Sequence, residues 1–150
     1  MSDLDEHAGR DGEQVYAFAD GGCFGCGQEN PIGLRLRFEA TGDGVCAVFT
    51  ADRRYQGYAG LLHGGLAATI LDEALAWAIL KKYGLAVTGE LYMRHRHPVP
   101  VGEPLVVSGR VVRRRQKLVE AEARIADGNG KTLAEGRGKF MLVKQPGDMV

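Results

Sequence analysis

The chain has too few cysteines for a disulfide framework. It carries three in 150 residues, an odd number that suits a reducing compartment better than an oxidising one. It also lacks an excess of either charge: 19 basic and 19 acidic residues give a formal net charge of zero, which removes the bulk electrostatic argument for nucleic-acid binding. It has no uninterrupted apolar run of membrane length. The most apolar window, residues 61–80, is broken by His63, Gly64, Gly65, Asp72 and Glu73, so no membrane association is expected. The opening residues, Met1-Ser2-Asp3-Leu4-Asp5-Glu6, lack the apolar centre of a secretory signal, and a cytoplasmic location is expected. Internal repeats and low-complexity segments are missing too. What remains is an ordinary balance of 45% hydrophobic and 25% charged residues. That balance predicts a single domain able to bury a core without metal or disulfide staples.

The body is organised around a helix. From Leu66 to Leu80 the residues are strong helix formers, apolar around the whole circumference, which predicts an enclosed helix rather than a surface one. Lys81 and Lys82 complement its dipole, and Gly84 supplies a left-handed closing position. Asp72 stands near the middle, too far from the first turn to act as a cap. Burying it unpaired would cost several kcal/mol. It is therefore solvated in a pocket, held at a subunit boundary, or used in a mechanism. Glu73, about 100° further around the helix, reads as a solvated or ion-paired residue.

Strand patterns flank the helix. Residues 34–39 alternate strictly and residues 45–51 return after Gly42-Asp43-Gly44. Four more strands are predicted at about 85–97, 104–112, 117–126 and 132–143, with Asp127-Gly128-Asn129-Gly130 as a hairpin signal. One face of the last two strands is small and apolar (Ala121, Ala123, Ala134, Gly136, Gly138), and the other is charged (Glu120, Glu122, Arg124, Glu135, Arg137, Lys139). Small inner residues let a curved sheet approach a helix closely. The expected class is α+β, a six-stranded antiparallel sheet wrapped around one helix. One such layer leaves part of the helix uncovered, so a second copy is expected to cover the rest.

The remaining chemistry-bearing residues read blandly on their own. Cys23 and Cys26 form one CxxC pair without a second, a weak zinc signal, and loop packing is expected. Arg94-His95-Arg96-His97 reads as a solvated strand face, and Arg113-Arg114-Arg115-Gln116-Lys117 as a turn. Tyr55, Tyr58 and Trp77 suit either core packing or an acyl pocket.

His63-Gly64-Gly65 followed by Asp72 in a helix, between two strands and four further strands, resembles the hotdog-fold acyl-CoA thioesterases of the PaaI-like group. Cys23-Phe24-Gly25-Cys26-Gly27, Asn30-Pro31-Ile32-Gly33-Leu34, Tyr55-Gln56-Gly57-Tyr58 and Pro98-Val99-Pro100-Val101-Gly102 extend the similarity over roughly residues 23 to 143. The resemblance implies a flexible tail at 1–20, a hotdog thioesterase domain at 21–144 and a short tail at 145–150. It implies hydrolysis of an acyl-CoA by a homodimer or homotetramer with sites at the subunit boundary. No metal or redox cofactor is implied, coenzyme A entering only with the substrate.

By that resemblance Asp72 acts across the boundary as a general base or a nucleophile, and Thr88 positions the attacking water. Gly65, at the start of the helix with its N–H expected free, would polarise the thioester carbonyl, with Gly64 leaving room beside it. His63 would shape the loop and hydrogen-bond the backbone. Strict alternation places Thr88 on the face opposite Leu91 and Met93, a conflict that an interfacial strand would relieve. Many members place Asn where this chain has Gly57, and Gln56 is the expected substitute. Gln56, Gly57, Gly64 and Tyr58 are thus candidate substrate-binding residues. Arg137, Lys139 or the turn at 113–115 would hold the coenzyme A phosphates. Two other classes fit the same pattern: a hydratase or dehydratase that leaves the thioester intact, and a non-catalytic acyl-CoA binding dimer.

Overall fold

A computed structural model describes residues 20–144 and Gly147. The expected tails at 1–19, 145–146 and 148–150 lie outside the described residues. Element order is β1 (Glu39–Ala40), β2 (Gly44–Thr50), α1 (Gly64–Lys82), β3 (Ala86–His95), β4 (Pro104–Arg115), β5 (Leu118–Ala126) and β6 (Thr132–Leu142). The six strands form one antiparallel sheet in the order β1-β2-β4-β5-β6-β3. α1 lies against β2, β3, β4, β5 and β6, so the sheet wraps around the helix as the alternation predicts.

Close approach sets the inner-face composition. A Cβ added at Gly109 would stand 2.5 Å from the Ala74 carbonyl oxygen, and one at Gly138 would stand 2.9 Å from Leu75 Cδ1. A larger side chain at Gly109 would have to move the helix backbone, and one at Gly138 would displace the Leu75 and Phe140 side chains. Ile70, Leu71, Leu75 and Ile79 of α1 are fully buried against Leu105, Val107, Val119, Ile125 and Phe140 of the sheet. The helix closes with Gly84 at φ +115°, its N–H bonding back to Leu80 and Ile79 carbonyls.

Three expectations are corrected. Residues 34–38 do not form a ladder. Leu34, Leu36 and Phe38 are buried and Arg35 and Arg37 exposed, so the alternation is real. The Leu34 and Leu36 amides, however, bond to Phe24 and Gly25 carbonyls, and Arg35 takes φ +54°. The segment is held by the preceding loop instead of by a strand partner. It covers the side of α1 that the sheet leaves open, with Phe38 stacked on Trp77 and Lys81 Nζ donating to the Phe38 carbonyl. Part of the cover that was expected from a second copy therefore comes from within the chain. Finally, Arg113, Arg114 and Arg115 lie in β4, and the turn follows at Gln116, φ +55°.

β3 is an end strand. It pairs with β6 on one side, and its other edge has no strand partner among the described residues. No helix among the described residues is long and apolar enough to cross a membrane.

Candidate active site

The site is assembled where α1 passes beneath β3. Thr88 Oγ1 donates to Asp72 Oδ1 at 2.8 Å, and both residues are half-buried. Burial raises the Asp72 carboxyl above its ordinary value, opposed by the Thr88 hydrogen bond and reinforced by the negative charge of Cys23. Asp72 is therefore a carboxylate with one oxygen fixed and a heightened affinity for a proton.

A bulge makes this contact possible. The β3–β6 register shifts between Thr88 and Glu90, so that Thr88 faces Phe140, Leu91 faces Gly138 and Met93 faces Gly136. All three therefore lie on the helix side, although period-two alternation places Thr88 opposite the other two. The conflict disappears within one chain, with no need for an interfacial explanation. Gly89 suits the bulge because a Cβ there would stand 3.2 Å from the Lys139 carbonyl oxygen.

His63, Gly64 and Gly65 begin α1 and are exposed. His63 is the N-cap, its Nδ1 accepting the Gly65 N–H at 3.0 Å. The expectation of a free Gly65 N–H is corrected accordingly: the ring occupies it, and Nε2 must carry the imidazole proton. The Gly64 N–H makes no hydrogen bond among the described residues. The ring of His95, read from the sequence as part of a solvated face, lies 3.6 Å from where a Gly64 Cβ would be. Its place was legible in the inner-face series Leu91, Met93, His95, which the neighbouring arginines obscured.

The preceding loop is built to hold this helix end. Gly57 N–H bonds the Leu61 carbonyl, and a Cβ at Gly57 would come 3.3 Å from His63 Cα. Gln56 Oε1 accepts the Gly60 N–H at 3.1 Å. Tyr55 hydroxyl lies 2.7 and 2.9 Å from the Ile32 and Gly33 carbonyl oxygens, making it a loop tie. Tyr58 is 88% exposed.

Arg137 and Lys139 are not brought to Asp72. Both occupy the sheet face away from α1, where Arg137 lies 5.0 Å over the Tyr92 ring and Lys139 pairs with Glu90 at 3.5 Å. A depression of about 770 Å³ on that face, bordered by Tyr92, Arg94, Arg110, Arg124 and Arg137, reaches neither Asp72 nor Gly64.

Glu73 is the residue most changed by folding. Expected to be solvated or ion-paired, it is instead enclosed beneath the CxxC loop, with Oε1 3.5 Å from Cys23 Sγ. Burial and the negative charge of Cys23 push its carboxyl up to about 8. Cys23 is lowered to about 5 by hydrogen bonds from Cys26 and the Gly25 amide. Cys26 is raised by its bond to Cys23 and by burial.

A wrapped helix carrying an acid, with a glycine pair at its N-terminus, defines a hotdog-type scaffold, and residues 59–134 match the thioesterase superfamily. The chain belongs to that family. It is 26% identical to human acyl-coenzyme A thioesterase 13 over 107 residues, covering 69% of this chain and 76% of the human protein. A solved thioesterase superfamily protein is 28% identical with TM-score 0.74; the match covers 77% of this chain and spans 60% of the length of the other. The Escherichia coli PaaI protein from the phenylacetic acid degradation operon shares the fold at 18% identity and TM-score 0.72, over 92% of this chain and 99% of PaaI.

Proposed function

We propose that the protein is an acyl-CoA thioesterase whose two active sites form between the chains of a homodimer. The observation that carries this reading is a separation. Gly65 and Asp72 stand seven residues apart on one straight helix, about 10 Å at 1.5 Å per residue. A donor and a base that far apart cannot both reach one thioester carbonyl, whose attacking and developing oxygens lie on the same carbon. A two-fold partner that lays its helix N-terminus beside Asp72 removes the difficulty. The edge of β3 that has no strand partner among the described residues offers the means, since an exposed strand edge is a template for pairing. The name of the human relative, an acyl-coenzyme A thioesterase, supports the substrate class.

In this mechanism the Asp72 oxygen not held by Thr88 takes a proton from water, and the hydroxide attacks the thioester carbon. The oxyanion is met by helix N-terminal amides of the partner: the Gly64 N–H, and the Gly65 N–H once the His63 ring turns away. Collapse breaks the C–S bond, and the departing thiolate recovers the proton from Asp72. The arrangement gives a hydratase less support, because the hydrogen-bond partner of Asp72 is a threonine and no histidine among the described residues is bonded to it. The three free cysteines suit a cytoplasmic enzyme.

The test is free-thiol release from a panel of aliphatic and aromatic acyl-CoAs by wild type and Asp72→Asn. Wild-type hydrolysis that the variant lacks supports the reading. Binding without thiol release, or full activity in the variant, overturns it.

A further inference from the structure

We propose that Cys23, Cys26 and Glu73 form a zinc site that fastens the N-terminal loop to α1. The single CxxC pair pointed only to loop packing, because its third partner lies 50 residues away in sequence. Folding brings the two sulfurs and a carboxylate oxygen within 4.8 Å of one another. Zinc–sulfur bonds of about 2.3 Å and a zinc–oxygen bond of about 2.0 Å, at a tetrahedral angle, put sulfur and oxygen about 3.5 Å apart. Cys23 Sγ and Glu73 Oε1 are separated by 3.5 Å. The spacing suits a shared small cation.

The surroundings favour bound thiolates. The Cys26 N–H points to Cys23 Sγ at 3.5 Å, and the Trp77 indole, one turn beyond Glu73, hydrogen-bonds Cys26. Donors of this kind orient and stabilise thiolate ligands. The loop is pressed onto its third ligand: a Cβ at Gly25 would stand 2.3 Å from the Glu73 carboxyl carbon, and one at Gly27 would stand 2.4 Å from the Cys23 amide nitrogen. The Gly27 N–H closes the turn on the Cys23 carbonyl at 2.9 Å. Gly25 allows this approach of loop to carboxylate, and Gly27 allows the loop to turn tightly on itself.

Two thiolates select zinc over magnesium or calcium, which prefer oxygen. Binding releases to solvent whatever protons the two thiols and Glu73 still carry. Cys23 is exposed, so water can complete a fourth position. The consequence is structural: the loop also carries the amide contacts that hold residues 34–38 over α1, and the clamp sits one residue from Asp72. The proposal stands apart from the thioesterase reading.

Untagged full-length protein, reduced and freed of metal, is titrated with cobalt(II). Expected are one cobalt per chain, thiolate-to-cobalt charge-transfer absorption, tetrahedral d–d bands, displacement by zinc and a melting temperature raised by zinc. Cys23→Ser alters an exposed loop position and should remain folded by circular dichroism. It should lose the charge-transfer band and bind zinc about 100-fold more weakly or worse, and Glu73→Gln should shift the d–d bands. No cobalt uptake by reduced wild type, an octahedral spectrum without charge transfer, or unaltered binding by Cys23→Ser would each overturn the proposal.

Discussion

Thr88 donates its hydroxyl hydrogen to Asp72 Oδ1 at 2.8 Å, joining an end strand of the sheet to the middle of the helix it wraps. The bond leaves one carboxylate oxygen available and fixes where it points. Thr88→Val should lower kcat by about 10- to 100-fold, the worth of a hydrogen bond to a charged group, with KM little changed. Thr88→Ser should restore most of the rate. Steady-state kinetics on one acyl-CoA distinguishes this from a packing effect, in which serine would fare no better than valine.

Loss of the carboxylate itself should cost more. Asp72→Asn should reduce hydrolysis by about 10²- to 10⁴-fold while raising stability slightly, because a neutral amide is cheaper to enclose than a carboxylate. In heavy-oxygen water, a single turnover with enzyme in excess should place the label in the product acid. Label recovered in Asp72 would show that the carboxylate attacks the thioester directly.

His63 caps α1 through Nδ1. His63→Ala should cost about 1 kcal/mol of stability, a fall of about 2–4 °C in melting temperature, and His63→Asn should recover part of it. Hydrolysis should persist in His63→Ala, since that change frees the Gly65 N–H. A loss of about 10²-fold or more would instead identify His63 as a proton carrier.

The free edge of β3 predicts a link between assembly and activity. Leu91 lies within β3 and is 38% exposed. In a two-fold pairing of β3 with its own copy, Leu91→Glu places a charge on the strand that the pairing covers. Sedimentation should show monomers and thiol release should vanish with them. A fully active monomer would remove the interfacial site.

Much of the architecture was legible because it rests on local periodicity. The helix at Gly64–Lys82 follows from a run of strong helix formers with closing signals, and the small inner face at Ala121, Ala123, Gly136 and Gly138 with its charged outer face follows from the 2-residue repeat. The glycine pair and Asp72 stood out because a buried helix has few reasons to carry them. Period-two reasoning failed where the backbone gains a residue, at the Thr88 to Glu90 bulge, and where the amides of an alternating segment found loop carbonyls instead of a strand, at residues 34–38.

By itself, then, the sequence determined which elements form and which faces they bury, since those depend on neighbours a few residues away. Tertiary structure alone decided that Thr88 turns inward to Asp72, that the His63 ring occupies the Gly65 amide, and that Glu73 lies against Cys23 across 50 residues of chain. Such contacts are set by register shifts and by how closely loop, strand and helix pack, and no periodicity encodes either.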